Sequence, residues 1–170
     1  MPARKRAKAK EAPPQAAPLV LNGWTFVAWP DFDERWRALI TTVAAQRVAS
    51  PTGPLSTPEV TVLAALVRLL RDHIARDPNA ADYRLKANLS AWRRVKFLGC
   101  LRLFYRFSSA HQLVVLTWLN DENTLRKDGA TSDPYQVFAG MLSRGEVPET
   151  WGALVAGAKT LHAPLPDKGR

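Results

Sequence analysis

The spacing of apolar residues changes along the chain, and each change predicts an element of secondary structure. Residues 24–29 form a short apolar, β-prone run after an Asn-Gly turn signal, which predicts a strand ended by Pro30. Apolar residues then recur at helical spacing over residues 31–48. Asp31 is predicted as the N-cap of this helix, because Glu34 follows it at the spacing of a capping box.

A second helix is predicted after a loop that contains proline and glycine. Ser56 or Thr57 is its expected N-cap, Pro58 lies in its first turn, and Asp77 begins the signal that ends it. From position 92 onward the apolar spacing alternates, which is typical of strands. Three strands are predicted, over residues 93–98, 101–107 and 113–120.

Two further helices complete the pattern. Asp133 followed by Pro134 is typical of an N-cap and a first helical residue, with the end of that helix at Gly145, and Pro148 opens the last helix. The order β-α-α-β-β-β-α-α predicts an α+β fold, in which an antiparallel-rich, four-stranded sheet is packed by helices.

Composition and charge predict the number of domains, the cellular location and the kind of partner. The 170 residues carry a net charge of +9, and five basic side chains crowd the first eleven positions. We expect one folded domain over residues 19–162, a disordered basic tail at 1–18 and a frayed end at 163–170. The single cysteine, Cys100, forms no internal disulfide, and no apolar run reaches membrane-spanning length, so the cytoplasm is the expected location. A strongly basic chain predicts an anionic partner.

The basic charge outside the tail is concentrated in residues 83–120, which contain no Asp or Glu. Side-chain alternation puts Arg94 with Lys96 on one face of a strand, and Arg102 with Arg106 on one face of the next. Like charges on paired strands repel, and a bound polyanion removes that cost. The pattern favours a strand pair that holds the phosphate backbone of RNA; the alternative is a solvated sheet face. Further RNA-binding positions are predicted at Arg84, Lys86 and Arg93.

Aromatic residues are interleaved with these cations. Phe104 shares its strand face with Arg102 and Arg106, which predicts that its ring stacks on an RNA base. Phe97 and Tyr105 are predicted to belong to the core instead.

Acidic residues return where the third of these strands ends. Asp121 and Glu122 stand close to Arg126 in sequence. A carboxylate beside arginines stays ionised and suits a general base that acts on a ribose 2′-hydroxyl; the alternative is a turn with structural ion pairs. The histidines show no metal-ligand spacing and no glycine-rich phosphate loop exists, so chemistry without a metal or cofactor is expected.

Several of these runs together resemble the YhaV family of bacterial toxins. The resemblance rests on RLFYRF at residues 102–107, NDENTLR at 120–126 and DPYQVF at 133–138, and it covers roughly residues 20–155. It implies a toxin of a type II toxin–antitoxin module with a RelE-like fold. Such toxins cleave mRNA, often on the ribosome, without a metal. A PrlF-type antitoxin would neutralise the toxin, and operator DNA would be bound only through that antitoxin.

The resemblance also implies roles for individual residues. Basic side chains would stabilise the phosphorane as the 2′-oxygen attacks the adjacent phosphate, Glu122 or Asp121 would be the base, and Tyr135 would help to orient the nucleotide. The catalytic set implied is Arg94, Lys96, Arg102, Arg106, Asp121, Glu122, Arg126 and Tyr135. Leu101 and Asp128 depart from the family pattern, which has tyrosine there. The alternatives are a non-catalytic RNA- or ribosome-binding module and a scaffold that docks the antitoxin.

Overall fold

A computed structural model describes residues 18–121 and 133–162. Within them lie six strands and four α-helices. Their bounds are β1 Val20–Leu21, β2 Trp24–Ala28, α1 Pro30–Ala49, α2 Pro58–Leu69, β3 Arg93–Phe97, β4 Leu101–Ser108, β5 Leu113–Leu119, α3 Pro134–Ser143, α4 Trp151–Gly157 and β6 Lys159–Thr160. Helix α2 continues as a π-helix, Leu70–Ile74, and 3-10 turns follow at Ala81–Tyr83 and Ala87–Leu89.

The strands form one sheet in the order β1-β2-β5-β4-β3, with β6 also paired to β2. Strands β2 and β5 run parallel, and the other pairings are antiparallel. The predicted α+β class with an antiparallel-rich sheet is confirmed, but the prediction of four strands is wrong. Strands β1 and β6 have two residues each, which is too short for an alternating pattern to show in the sequence.

Both faces of the sheet are covered. On one face, helices α1 and α2 and the π-helix pack on a core that includes Phe26, Trp36 and Tyr105. On the other, α3 and α4 pack on a second core that includes Phe104 and Phe138. Strand β4 is buried along most of its length, because both of its faces meet helices.

Helices α2 and α3 begin at the N-caps that the sequence predicts. The Thr57 side chain accepts a hydrogen bond from the backbone N–H of Val60 at 3.3 Å. Asp133 likewise caps α3, because its Oδ1 accepts from the backbone N–H of Tyr135 at 2.9 Å. The α3 cap thereby helps to place Tyr135 beside strands β3 and β4, where its ring lies near Arg94 and Phe104.

The predicted start of α1 is wrong. The helix begins at Pro30 with Trp29 as its N-cap, and the backbone N–H of Asp33 donates to the Trp29 carbonyl at 3.0 Å. Proline suits the first helical position because its φ is already helical and it has no N–H to satisfy. Asp31 therefore lies inside the first turn and caps nothing. No helix of the described residues is long and apolar enough to cross a membrane.

Candidate nucleic-acid interface

The pairing of β3 with β4 brings three cations together. Lys96 lies directly opposite Arg102, and Arg94 lies opposite Phe104, so all three cations project from one face of the sheet. Directly opposed Cβ atoms are about 5 Å apart in such a pair, and diagonal ones about 7–8 Å. We call Arg94, Lys96 and Arg102 the cationic cluster. It lies near the turn between β3 and β4, where β5 also ends.

Arg102 is buried and only partly satisfied. Its side chain is 7% exposed, and its Nη1 donates to the carbonyls of Gly99 and Leu101 at 2.9 and 3.2 Å. Its Nε is buried and finds no acceptor among residues 18–121 and 133–162. A charged donor that is buried without an acceptor costs free energy, which a bound anion would recover.

Arg94 shows the same feature. Its guanidinium carbon lies 5.8 Å from the ring centroid of Tyr135, a cation–π distance, while its Nε is buried without an acceptor in the described part of the chain. The Tyr135 ring in turn contacts Phe104 edge to face at 5.7 Å. Helix α3 thus holds an aromatic ring against one member of the cationic cluster.

A cleft opens beside the cluster. It has a volume of about 310 Å³, and we call it the α3-side cleft. Its described lining residues are Arg84, Leu85, Lys86, Arg94, Lys96 and Tyr135. Four of these are basic and none is acidic, so this part of the surface is suited to a phosphate backbone. The structure therefore brings together Arg84, Lys86, Arg94, Lys96 and Tyr135, all of which were candidate site residues from the sequence.

Asn120 is a residue whose role the sequence reasoning missed. Its buried side chain joins β5 to the start of β4: Oδ1 accepts from the backbone N–H of Arg102 at 2.6 Å, and Nδ2 donates to the Cys100 carbonyl at 3.1 Å. From α1, Arg35 donates to the Asn120 carbonyl at 2.8 Å. The backbone immediately before Asp121 is therefore fixed beside Arg102. An amide residue at the end of a buried apolar strand was the available signal.

Arg106 is not part of the cluster. It lies farther along β4, where its Nη1 donates to the Glu149 carbonyl at 2.6 Å. Its guanidinium carbon is 5.4 and 5.8 Å from the ring centroids of Trp92 and Trp151. Burial lowers the pKa of Arg106, and the charge of Arg93 lowers it further, although an arginine remains protonated at neutral pH. Its contacts are those of a structural cation.

The predicted base stacking of Phe104 is wrong. Its side chain has 0% exposure and stacks on Phe138 of α3 with 4.5 Å between ring centroids. The ring does share a face with Arg102, but α3 covers that part of the face. Tyr105 is fully buried and Phe97 packs against the same core, which confirms the prediction for both. Leu101 is buried in that core as well.

Arg93 faces the opposite side of the sheet from Arg94, as alternation requires. It donates to Asn79 Oδ1 at 3.1 Å and to the Ser90 carbonyl at 3.0 Å. Burial lowers its pKa as well. The structure therefore separates it from the cluster and satisfies it internally.

The predicted acidic residues are described only in part. Asp121 is half-buried and follows Asn120 directly. Glu122, Arg126 and Asp128 lie outside the described residues. Within the described ranges, no group of three or more His, Cys, Asp or Glu side chains converges as metal ligands would.

Two arginines with buried Nε donors, beside a cleft lined by basic residues, form a surface suited to a phosphate backbone. A family described as "Toxin with endonuclease activity, of toxin-antitoxin system" matches residues 26–159. The chain belongs to this family, the YhaV toxins.

Curated relatives agree. A protein named Ribonuclease toxin YhaV, from Escherichia coli K12, is 34% identical over 151 residues, which are 85% of this chain and 98% of the relative. Toxin YhaV of Escherichia coli O6:H1 is 35% identical over the same coverage. A solved chain from the RelBE2 toxin–antitoxin complex of Mycobacterium tuberculosis is 26% identical, over 36% of this chain and 70% of its own. Its TM-score of 0.32 is too low to establish a shared fold.

The prediction of a nuclease toxin from a toxin–antitoxin system is confirmed, and with it an antitoxin partner. The name of the K12 relative, a ribonuclease toxin, agrees with the predicted RNA substrate.

Proposed function

We propose that this toxin cleaves mRNA at the cationic cluster by attack of a ribose 2′-hydroxyl on the adjacent phosphate, without a metal. The observation that carries the proposal is the pair of buried Nε donors on Arg94 and Arg102, which lack acceptors among the described residues. Phosphate oxygens are the acceptors that arginine matches best.

The reaction follows from where charge develops. The 2′-oxygen forms a bond to phosphorus and the bond from phosphorus to the 5′-oxygen breaks, which leaves a 2′,3′-cyclic phosphate and a 5′-hydroxyl. Negative charge builds on the equatorial oxygens in between, beside Arg94, Lys96 and Arg102. Fixed donors aimed at such charge are usually the largest catalytic term, and each is worth about 10²–10³-fold in rate.

Two proton transfers complete the step. The 2′-hydroxyl proton passes to a carboxylate, with Glu122 as the first candidate base and Asp121 as the second, and the 5′-oxygen gains a proton as it leaves. General acid–base help adds about 10²–10⁴-fold. Asp121 follows a backbone position that Asn120 and Arg35 fix beside Arg102. Arg126 and Tyr135 would orient the nucleotide, and Arg84 and Lys86 would contact flanking phosphates.

The cellular role follows from the same surface. Loss of mRNA, on or off the ribosome, inhibits translation in the cytoplasm. A PrlF-type antitoxin would cover the α3-side cleft with acidic residues, because the described lining is basic. Operator DNA would be contacted only through that antitoxin. A RelE-like arrangement of the sheet and helices is part of this proposal.

The test uses the purified full chain and RNA with a metal chelator present. Cleavage sites are first mapped on a long mRNA, and an oligonucleotide spanning one site is then synthesised. We expect products with 2′,3′-cyclic phosphate and 5′-hydroxyl ends. A matched oligonucleotide with one 2′-deoxyribose at the scissile position should resist cleavage. Cleavage of that deoxy substrate, or complete loss of activity with the chelator, would contradict the mechanism.

A further inference from the structure

A second and larger cleft lies on the other side of edge strand β3. Its volume is about 580 Å³, and we call it the α2-side cleft. Its described lining includes Arg68, His73, Asp82, Tyr83, Phe97 and Leu98. Arg94 and Lys96 line both this cleft and the α3-side cleft, so the two clefts meet at the edge strand. We propose that the α2-side cleft is a second RNA subsite, which binds nucleotides flanking the scissile phosphate.

The helix beside this cleft is irregular. The backbone N–H of Ala75 donates to the Leu70 carbonyl at 2.9 Å, a bond spanning five residues that marks the π-helix. Arg68 and Leu69 line the cleft from α2, and His73 lines it from the π-helix that follows. π-Turns are rare and occur often at functional sites.

The lining combines the two features that single-stranded nucleic acid requires. Arg68 supplies a cation for the backbone, while Tyr83 and Phe97 supply half-buried rings on which a base can stack. Leu98 is 47% exposed and adds apolar surface at the strand end. Asp82 is the single acidic residue among the described lining residues. Leu98 and Arg68 are both exposed, so neither contributes to the protein core, and both are available to a ligand.

The path between the clefts is short. Strand β3 is the edge strand of the sheet. Only the width of this strand, about 5 Å, separates the α2-side cleft from the α3-side cleft. Neighbouring side chains alternate faces, so Lys96 and Phe97 project to opposite sides of this edge. An RNA strand with one phosphate at the cationic cluster therefore reaches the α2-side cleft by passing over β3. The inference rests on the proposed function for the position of the scissile phosphate.

Binding of RNA analogues tests the subsite independently of cleavage. The probes are fluorescent 2′-O-methyl oligonucleotides of two and six nucleotides, which cannot undergo 2′-attack, and the readout is fluorescence anisotropy over a range of salt concentrations. Arg68→Gln should weaken binding of the hexamer about three- to tenfold and reduce the slope of log affinity against log salt by about 0.7, the value for one phosphate contact. Binding of the dinucleotide should not change.

A matched control comes from the same segment. Arg71→Gln removes the same charge, but Arg71 is paired with Asp72 and does not line the cleft, so its hexamer affinity and salt slope should stay as in the wild type. Arg68→Lys should restore the slope, which shows that charge rather than folding is measured. Thermal unfolding of each variant checks the fold.

The outcomes separate the two claims. Wild type that binds neither oligonucleotide contradicts the proposed function. Wild type that binds both, with Arg68→Gln unchanged on the hexamer, overturns the subsite alone. In that case, loss of antitoxin binding by Arg68→Gln would assign the cleft to the protein partner instead.

Discussion

The two ends of one sheet face use arginine in opposite ways. At one end Arg106 is satisfied by the Glu149 carbonyl and by the rings of Trp92 and Trp151. At the other end Arg94 and Arg102 each keep a buried Nε without an acceptor in the described residues. Both ends share strand β4, and the sequence alone makes them look equivalent. Under the proposed function, unsatisfied donors, rather than charge or strand position, distinguish the RNA-binding end.

The difference also has an energetic side. A cation between two aromatic rings stabilises the fold, by about 0.5–2 kcal/mol for each favourable contact. In the cationic cluster, by contrast, Lys96 and Arg102 are like charges directly opposite each other, and such a pairing is unfavourable by itself. A ligand with phosphate groups would remove that cost. Substitutions should therefore change activity at one end and stability at the other.

The largest expected effect is on cleavage by Arg102→Gln. Removing one charged donor from the phosphate site should lower kcat/KM about 10²–10³-fold. Arg106→Gln is the matched variant on the same strand, and its kcat/KM should stay within about threefold of the wild type at 25 °C. Cleavage of a synthetic RNA measures both. Equal losses in the two variants would contradict the division between the ends.

The complementary effect is on stability. Arg106→Gln should lower the free energy of unfolding by about 0.5–2 kcal/mol, because two rings lose a cation and the exposed Glu149 carbonyl loses its charged donor. For a chain of this size each 1 kcal/mol lowers Tm by about 2–4 °C. Calorimetry measures the change. A variant as stable as the wild type would show that the Arg106 contacts contribute little.

Substitution of Asn120 should lower both cleavage activity and folding stability. Asn120→Ala leaves the Cys100 carbonyl and the Arg102 N–H without their partner, and should cost about 1–3 kcal/mol of stability. Because Arg102 then loses its fixed position, kcat should fall about tenfold while KM changes little. Asn120→Asp keeps the acceptor for the Arg102 N–H and should recover part of kcat. If Asn120→Ala lost only stability, Asn120 would have no positioning role.

Much of this fold was predictable because its signals are local. Thr57 and Asp133 cap their helices as the sequence indicates, and alternation correctly grouped Arg94 with Lys96. Alternation assigns a side chain to a face but not to what covers that face. For this reason Phe104 was misassigned, since only the packed structure shows α3 lying over it.

The same limit explains the other errors. Strands β1 and β6 exist because they pair with β2, and two residues carry no period of their own. The sequence did not show that Arg106 is held by Trp151 of α4 and by Glu149, which lies two residues before that helix. The Asn120 network joins residues from three distant parts of the chain. Each of these features depends on tertiary contacts.

A smaller effect is expected at Tyr135, which contacts Arg94 with its ring. Tyr135→Phe keeps the ring and should retain cleavage within about threefold, whereas Tyr135→Leu removes the cation–π contact and should cost about three- to tenfold. Kinetic assays of the two variants make the comparison. A large loss in Tyr135→Phe would instead assign the phenol hydroxyl a direct part in the reaction.

The smallest expected effect concerns Asp31, whose carboxylate is repelled by those of Glu146 and Glu34. Burial raises the pKa of Asp31, and the charges of Glu146 and Glu34 raise it further. The folded state therefore binds this proton more tightly than the unfolded state, so stability falls as pH rises through the folded-state pKa. Because Asp31 is exposed and water screens its charge, Asp31→Asn should stabilise the protein at pH 7 by at most about 0.5 kcal/mol and have no such effect near pH 3. Urea unfolding at the two pH values measures the difference, and a destabilised variant at pH 7 would contradict the sign.

The most direct test of the central claim is a crystal structure of the full chain with a 2′-O-methyl RNA that spans a mapped cleavage site. We predict that oxygens of the scissile phosphate lie within hydrogen-bond distance of the guanidinium groups of both Arg94 and Arg102, with Arg106 still between its two tryptophans. A scissile phosphate bound elsewhere, without contact to either guanidinium group, would contradict this prediction.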